Sequence, residues 1–598
     1  MPATKPLAAE DAAVDTQAPA IPVGDSAAAQ RSAALALHTI VFVSGAALMG
    51  IEIAGSRILA PSFGTSIFVW GSLIGLVMGA MALGYWVGGI LADTRPSYTV
   101  LATIVSLAGV YTFFMIPYMG PWLCEGVARS ITSQMTGPIF ACTLLFFVPS
   151  FMLAIVTPFA VKLSTRQFTK VGGVAGRLFA LNTLGSIVGT LATTFLLLPN
   201  FHFTNTLQAL GVALVAFALF TLIRFKQALS GITREDRHGL ALMTLILLGL
   251  VEYWAIYPVE PWVSQGQRLM HYEESEYHDI GVTEYVMDED SGRLLPPYDV
   301  VRYLKFNENI ESAIFPYWSK YRNAVGYTDL LHLPLIWNAQ PKKMLVVGGG
   351  GGVAPTQYIQ DYASIERVDI LELDDAVRRV ALEYFQMPKD SPKLNFIIGD
   401  ARANLARAEG PYDIVILDAY SSGGQIPFHL MTWEFMQEVK AKLAPGGVLV
   451  TNIIASIENE ASGGERNADL LRAEIKTLQH PKENPLFKQV YIFPRVYNKE
   501  GALRGYETET RNIIVIASNE EKPKSRDEIV AAAKHLTQGK NPIVKVDSRE
   551  YIWHAEHFFD RTFTEAELSE VEPLTDDFAP VETMYRPVKR NETTQRHW

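Results

Sequence analysis

The sequence has little charge and almost no cysteine. Only 19% of its 598 residues are charged, and its 2 cysteines, Cys124 and Cys142, both lie in the apolar first half. A disulfide or cysteine–metal framework in the second half is therefore excluded. The histidines show no spacing typical of a ligand cluster, so we expect no metal site.

Basic clusters are also missing. The formal net charge is -11, and no stretch interleaves lysines and arginines with aromatic residues. A protein that binds nucleic acid needs such a positive surface to neutralise phosphates. The composition therefore argues against nucleic acid as a partner.

The first half contains long apolar runs instead. Each is long enough to cross about 30 Å of hydrocarbon as a helix. We therefore predict a multi-pass α-helical membrane domain of about seven helices at 34–258, in contact with the lipid bilayer of a bacterial-type inner membrane. Residues 1–33, rich in Ala and Pro, predict a disordered tail. The predicted spans lie near 34–54, 67–92, 99–119, 138–161, 178–198, 204–223 and 239–258.

Two charged residues near the end of the first apolar run need an explanation, because a charge in lipid is costly. Arg57 follows Glu52 by about one helical turn. An ion pair near the helix end is one interpretation. A contact to a substrate or a proton is the other, and the sequence leaves both open.

One stretch of the second half, residues 342–374, organises the rest. An apolar run at 344–347 leads into five glycines at 348–352, and a second apolar run ends at Glu372. This order predicts a strand, a tight turn, a helix and a second strand that ends in an acid. Glycines let the backbone approach a ligand, and the acid can accept hydrogen bonds from ribose hydroxyls. The stretch therefore predicts a site for a nucleoside-containing cofactor.

Alternating patterns continue on both sides of this stretch. β-Favouring segments separated by turn residues predict a small antiparallel β-subdomain at 263–335. Further strands ending at Asp400 and Asp418 predict an α/β Rossmann-like domain of the class I methyltransferase type at 336–598, with a C-terminal extension. Acids at three strand ends would gather at one edge of the sheet, where such folds bind ligands.

The motifs MLVVGGGGGV, ILELD, IIGDA, DIVILDAY and LAPGGVLV resemble the spermidine synthases. They resemble more closely the bacterial proteins in which such a domain is fused to a multi-pass membrane region. The resemblance covers roughly residues 277–453 and implies S-adenosylmethionine, or its decarboxylated form, as co-substrate. The glycines would hold the methionine-derived part of this co-substrate. Glu372 would bind its ribose, and Asp400 with the Ala401 backbone would bind its adenine. The implied residues are Gly348, Gly349, Gly350, Glu372, Asp400 and Ala401.

The resemblance also implies an acceptor side. Asp418 stands where the family has the acid that takes a proton from the attacking amine, with Tyr420 beside it as a catalytic candidate or a wall. The acceptor would be a small-molecule amine or another nucleophile, and the family suggests a homodimer. Candidate acceptor-binding residues are His278, Tyr327 and Ser421.

Several positions depart from the family pattern. Gly351 stands where the family has an aspartate, and Ser421 replaces a second aspartate of the catalytic loop. In spermidine synthases these acids bind a cationic amine and disfavour a cofactor that keeps its carboxylate. Their loss removes repulsion between like charges. We therefore predict that the site accepts intact S-adenosylmethionine at least as readily as the decarboxylated form, and that the acceptor is not plain putrescine.

Three functions remain open at this point. The first is a membrane-anchored transferase that moves an aminopropyl-type group. The second is a methyltransferase on the same fold, and the third is an assembly protein with an inactive site. The missing second catalytic acid favours the third, whereas the three retained acids oppose it.

Loop charges and cofactor supply indicate opposite orientations. If the N-terminus is cytoplasmic, the inside loops collect nearly all basic residues, and seven spans put the second half outside. A nucleoside cofactor made in the cytosol argues for the opposite side. The sequence alone leaves the orientation open.

Overall fold

The structure is a computed structural model that describes residues 27–584. Gaps in the description fall at 65, 132–134, 166–170, 199, 229–233, 257–265, 276, 289–290, 308, 319–322, 421–425, 460–467, 497–509, 539–541 and 562. Most of the predicted tail at 1–33 therefore lies outside the described residues, and the first helix begins at Ala27.

Helices make up the described part of the first half. They have little amphipathic character, because apolar residues surround most of them, as expected for helices in lipid or in a bundle core. Two of them continue into π-helical turns at Met115–Met119 and Thr193–Leu197. The helices are α1 (Ala27–Phe63), α2 (Ile67–Thr94), α3 (Tyr98–Phe114), α4 (Gly120–Ser130), α5 (Thr136–Thr165), α6 (Val171–Ala192), α7 (Phe203–Ala228) and α8 (Arg234–Ile256).

Six helical segments in the described ranges are long and apolar enough to cross a membrane, one fewer than predicted. The seventh predicted span corresponds to Ala241–Ile256, whose apolar length is only about 24 Å at about 1.5 Å per residue. The residues that precede it in α8, Arg234 to Leu240 in the sequence, include both acids and bases. The prediction of seven apolar spans was therefore one too many by this criterion.

Glycines let the helices approach each other closely. A Cβ at Gly185 would lie 2.1 Å from the carbonyl oxygen of Phe42, and one at Gly84 would lie 2.5 Å from that of Phe151. Any side chain at these positions would push α6 away from α1, or α2 away from α5. Small residues serve this purpose in membrane helix bundles.

The second half is attached to one end of the bundle. Trp254, near the end of α8, donates to Asn205 Oδ1 at the start of α7 (3.2 Å), so these two helices run antiparallel. The amide of Phe203, which begins α7, donates to Glu274 of the second half (2.8 Å). This is the end of the bundle where α1 finishes, opposite the end where α1 begins.

A four-stranded antiparallel sheet follows the bundle. Its strands pair in chain order, β1-β2-β3-β4. The inner residues of β2 and β3 pack on a helix of the next domain, α10 (Asp375–Tyr384), which fixes this small sheet above the larger one. The strands are β1 (Gln267–Glu274), β2 (Asp279–Tyr285), β3 (Val301–Phe306) and β4 (Asn309–Ile314).

A seven-stranded sheet forms the core of the second half. Its order is β10-β11-β9-β8-β5-β6-β7, and β11 runs antiparallel to both of its neighbours. The remaining pairs are parallel, and β5 is a continuous apolar run because both of its faces are covered. The strands are β5 (Lys343–Val347), β6 (Arg367–Glu372), β7 (Leu394–Ile398), β8 (Tyr412–Leu417), β9 (Leu443–Ala455), β10 (Gln489–Pro494) and β11 (Arg511–Ser518).

Helices cover both faces of this sheet, which confirms the predicted Rossmann-like fold. The segment Gly326–Ile336, which precedes β5, is a 3-10 helix. The α-helices are α9 (Val353–Asp361), α10 (Asp375–Tyr384), α11 (Ala401–Asn404), α12 (Trp433–Lys440), α13 (Asp469–Leu478), α14 (Arg526–Thr537), α15 (Ser548–Glu556), α16 (Glu565–Ser569) and α17 (Val581–Met584).

Candidate active site

The glycine loop begins where β5 ends. Gly348 has a φ of +92°, and a Cβ at this position would lie 2.3 Å from the carbonyl oxygen of Asp418. The loop therefore passes too close to the neighbouring strand end to carry a side chain there. Gly350 and Gly352 also have positive φ values, so the loop curls tightly before α9 begins. Its backbone is left open to a ligand.

Glu372 ends β6 beside this loop. Its Oε2 accepts a hydrogen bond from the Gly349 amide (2.7 Å), and its Oε1 accepts one from the Asp374 amide (2.9 Å). Burial raises the pKa of Glu372 to about 7, although these amide hydrogen bonds oppose the shift. The carboxylate is thus fixed in place, and its remaining lone pairs are available to ribose hydroxyls.

Asp400 follows β7 and begins α11. Its Oδ1 accepts from the Ala403 amide (2.8 Å), and its Oδ2 lies 2.9 Å from His429 Nε2. Burial alone would raise the pKa of Asp400, but the hydrogen bonds from Ala403 and His429 hold it below its usual value. Asp400 is therefore a helix cap that also faces the ligand side of the sheet, together with Ala401.

Asp418 ends β8 and is held by two donors. Tyr327 donates its hydroxyl to Oδ2 (3.1 Å), and Asn452 of β9 donates its amide to Oδ1 (2.8 Å). Burial raises the pKa of Asp418, and the two hydrogen bonds moderate the rise. Tyr420 donates to the Asn452 carbonyl oxygen (2.9 Å), so its hydroxyl supports the same strand.

The sequence analysis missed a further acid, Glu311 of β4. Its side chain lies on the same cavity as Asp418. Burial, together with the nearby charge of Asp418, raises the pKa of Glu311 to about 8. Apolar alternation along β4 would place Ile310 inward and Glu311 outward, whereas in the structure Ile310 is 41% exposed, so the sequence pattern gives no signal for Glu311.

Ser312 occupies the space that a side chain at Gly351 would need. A Cβ at Gly351 would lie 2.7 Å from Ser312 Cβ, which is too close for any side chain. The Gly351 amide instead donates to Ser312 Oγ (2.9 Å). The hydroxyl of Ser312 on the neighbouring sheet therefore binds the loop at this position.

His278 also reaches this site. Its ring stacks on Phe306 at a centroid distance of 4.2 Å. Burial, helped by the charge of Arg57, lowers its pKa to about 4, so the ring is neutral at physiological pH. His332, in contrast, is buried in the domain core against Tyr358 and bonds to Gln357, which makes it a structural residue.

These groups surround one cavity of about 750 Å³. Its size falls within the roughly 300–1,000 Å³ typical of small-molecule sites. Within the described ranges, no group of three His, Cys, Asp or Glu side chains is placed to bind a metal ion. Ser421 lies outside the described residues. The candidate residues on the cavity are Gly348, Gly349, Gly350, Glu372, Asp400, Ala401, Asp418, Tyr420, His278 and Tyr327.

Comparison with known proteins identifies the domain that carries this site. Residues 325–461 match the model of the spermine/spermidine synthase domain. The chain carries a spermine/spermidine synthase domain. The match contains the glycine loop and all three strand-end acids, whereas the bundle and the small antiparallel sheet lie outside it.

Relatives of this domain include two kinds of transferase. Spermidine synthase 2 of Arabidopsis thaliana is 40% identical over 136 residues, covering 22% of this chain and 39% of the relative. A polyamine aminopropyltransferase of Vibrio vulnificus is 32% identical over 206 residues, covering 33% of this chain and 63% of the relative. Putrescine N-methyltransferase 1 of Nicotiana tabacum is 29% identical over 205 residues, covering 33% of this chain and 49% of the relative. The matched segment thus spans about two fifths to three fifths of the length of these relatives.

Proposed function

We propose that this protein is a membrane-anchored transferase that binds S-adenosylmethionine or its decarboxylated form and transfers an aminopropyl-type group to an amine. The observation that carries this proposal is the position of Asp418. It is fixed by Tyr327 and Asn452 on the same cavity as the glycine loop and Glu372. An acid so placed can receive a proton from an amine that attacks the bound cofactor.

Different residues of the cavity would bind different parts of the cofactor. The loop backbone at Gly349 and Gly350 would bind the methionine-derived part of the cofactor. Glu372 would bind its ribose, and Asp400 with the Ala401 amide would bind its adenine. The cofactor supplies a carbon that is activated by the neighbouring sulfonium. Correct alignment of an amine with this carbon accounts for most of the rate that such a site can provide.

Asp418 and Glu311 would share the proton chemistry. Two acids close together in a buried site resist being ionised at the same time. Because burial and the charge of Asp418 raise the pKa of Glu311 to about 8, Glu311 holds a proton at neutral pH. Asp418 then acts as the base, and its raised pKa brings its basicity closer to the working pH.

Calorimetry on the detergent-purified protein tests the cofactor site. Each cofactor is titrated into the wild type, Glu372→Ala and, as a matched control, Glu483→Ala, which changes an exposed glutamate. We expect binding that Glu372→Ala abolishes and Glu483→Ala leaves unchanged. Absence of binding by either cofactor would contradict the proposal and favour an assembly role.

A methyltransferase is the second candidate. Gly351 in place of the family's aspartate supports it, because the loss of this acid removes repulsion against the carboxylate of intact S-adenosylmethionine. The similarity to a putrescine N-methyltransferase also supports it. Mass spectrometry of the acceptor after incubation with each cofactor distinguishes a methyl from an aminopropyl product.

A further inference from the structure

The membrane bundle forms one wall of the catalytic cavity. Three parts of the bundle line this cavity opposite the glycine loop. They are the last turns of α1, the first turn of α2 and the π-turn after α6. The spermine/spermidine synthase domain alone does not account for this wall, which lies outside residues 325–461. The residues from the bundle are Ile53, Ser56, Arg57, Ala60, Gly64, Val69, Trp70, Thr194, Phe195 and Leu198.

Arg57 is the basic side chain on the bundle side of the cavity, where the carboxyl group of Asp279, whose pKa burial raises to about 7, also lines it. Arg57 brings a guanidinium to the bundle side, where its charge adds to the effect of burial in lowering the pKa of His278 and opposes burial at Asp279. The carboxyl groups of Glu311 and Asp418 lie on the domain side of the same cavity. A free diamine is positively charged at both ends, so its charge complements only the side of the cavity that carries Glu311 and Asp418. A zwitterion, with an anion toward Arg57 and an amine toward Asp418, matches both.

Apolar side chains connect this cavity with the outside of the bundle. Trp70 of α2 and Phe195 of the π-turn line the cavity, yet they are 37% and 73% exposed. Ile67, one turn before Trp70, is 70% exposed. Large apolar residues at the surface of a membrane helix face lipid, and π-turns of this kind often occur at functional sites. The cavity therefore has an apolar margin next to its positive side.

We infer that the acceptor is the primary amine of a zwitterionic phospholipid, with its phosphate at Arg57, its amine at Asp418 and its acyl chains past Trp70 and Phe195. This inference rests on the proposed transferase function and names its substrate class. It also gives the bundle a role, since a lipid headgroup reaches the site only where the domain meets the membrane. The apolar margin and the positive charge lie together on the bundle side, as this orientation requires.

The transfer step balances without any further reactant. The deprotonated lipid amine attacks the cofactor carbon beside the sulfonium, so that a C–N bond forms while the C–S bond breaks. The sulfur leaves as a neutral thioether with the electron pair of that bond. The proton lost by the amine goes to Asp418. The lipid gains an N-alkyl group and keeps its phosphate.

Reconstitution of the full chain tests the inference. Vesicles of phosphatidylcholine, with or without phosphatidylethanolamine, are incubated with each cofactor, and the lipids are then analysed by mass spectrometry. We expect an N-alkylated ethanolamine lipid with the wild type and none with Asp418→Asn. Putrescine added to phosphatidylcholine vesicles serves as the soluble acceptor.

Two variants test the assigned orientation. Arg57→Gln should raise the KM for the lipid on the order of tenfold, because a charged hydrogen bond to phosphate is lost, while kcat changes little. Arg57→Lys should restore part of the affinity. Arg177→Gln is the matched control, since Arg177 is exposed near the start of α6, at the opposite end from the cavity.

Each outcome separates this inference from the proposed function. Modification of putrescine but not of lipid would overturn the lipid acceptor and leave the transferase standing. Lipid modification that Arg57→Gln does not weaken would overturn the assigned orientation. Failure of both acceptors together with failure of cofactor binding would overturn the transferase itself, and the lipid acceptor with it.

Discussion

The amide of Gly351 donates to Ser312 Oγ at 2.9 Å, and a Cβ at residue 351 would approach Ser312 Cβ to 2.7 Å. The serine of β4 and the glycine of the loop are therefore mutually dependent. An acid at 351 needs a smaller residue at 312 and also a small shift of the Phe385 ring, which a Cβ at 351 would approach to 3.0 Å. This pair separates the present site from the pattern that it resembles.

Gly351→Asp alone should weaken the binding of both cofactors and lower the melting temperature. The added side chain overpacks a buried contact, which typically costs about 1–3 kcal/mol. Ser312→Gly combined with Gly351→Asp should recover stability and shift the preference toward the decarboxylated cofactor, because the new carboxylate repels the carboxylate of the intact form. Calorimetry with both cofactors measures the shift. If Gly351→Asp alone kept the stability of the wild type, the contact with Ser312 would not restrict which residue position 351 accepts.

Asp418→Asn should lower kcat by a factor of roughly 10²–10⁴, the usual contribution of a positioned base. Cofactor affinity should stay near wild type, because Asp418 lies on the acceptor side of the cavity. Steady-state kinetics with a saturating amine, together with calorimetry, checks both statements. Equal losses of cofactor binding and rate would place Asp418 in cofactor binding instead.

Asn452→Ala should shift the pH dependence of kcat. The amide of Asn452 donates to Asp418 and lowers its pKa, so removing that donor raises the pKa of the base. The rising limb of the pH–rate profile should therefore move to higher pH, while the rate above it stays close to wild type. Tyr327→Phe, which removes the other donor, should move the limb in the same direction. A limb that neither variant moves would belong to another group.

The stability of the protein without ligand should fall as the pH rises from about 5 to 8. Burial raises the pKa of Glu311 to about 8 and that of Glu372 to about 7, well above ordinary glutamate values. Over this range these two groups bind more protons in the folded than in the unfolded state, so raising the pH weakens their contribution to stability. Asp279 and Glu474, whose pKa values burial raises to about 7 and about 8, add to this effect, whereas the lowered pKa values of the buried His278, His332 and His554 oppose it. Melting temperatures across the range should decline by a few degrees.

Glu311→Gln should flatten part of this decline, because the amide cannot ionise. Glu483→Gln, which changes an exposed glutamate, is the matched control and should leave the slope unchanged. A slope that Glu311→Gln does not alter would show that Glu311 ionises with little cost in the folded protein.

Part of the site follows from local order along the chain. Gly348, Glu372 and Asp418 each stand where a strand ends, and parallel strands bring their carboxyl ends to one edge. No knowledge of distant packing is needed to place them. The Rossmann-like fold follows from the same alternation of apolar strands and helices.

The rest of the site depends on contacts between distant segments. Glu311 reaches the cavity only because the small sheet packs on α10, and Asn452 only because β9 pairs with β8. Arg57 lies more than two hundred residues before the glycine loop. The structure places Arg57 on the wall of the cavity, a position that the sequence could not give because it depends on how the bundle packs against the second half.

The direction of α8 gives a last prediction. Its end contacts the start of α7 through Trp254 and Asn205, and the domain sits where α1 ends. With 23 residues, α8 is about 34 Å long, enough to cross the bilayer although only its second part is apolar. The start of α1 and the second half of the chain should therefore lie on opposite sides of the membrane.

Single cysteines and an impermeant maleimide measure this arrangement in intact cells. Arg95→Cys lies after α2, at the end where α1 begins, and Lys482→Cys lies on the domain, where the lysine side chain is 84% exposed. We expect only one of the two to be labelled before permeabilisation and both afterwards. The native Cys124 and Cys142 are buried, so their background should be low. Identical labelling of the two variants would mean that α8 turns back without crossing, and that six spans place the domain on the side of the N-terminus.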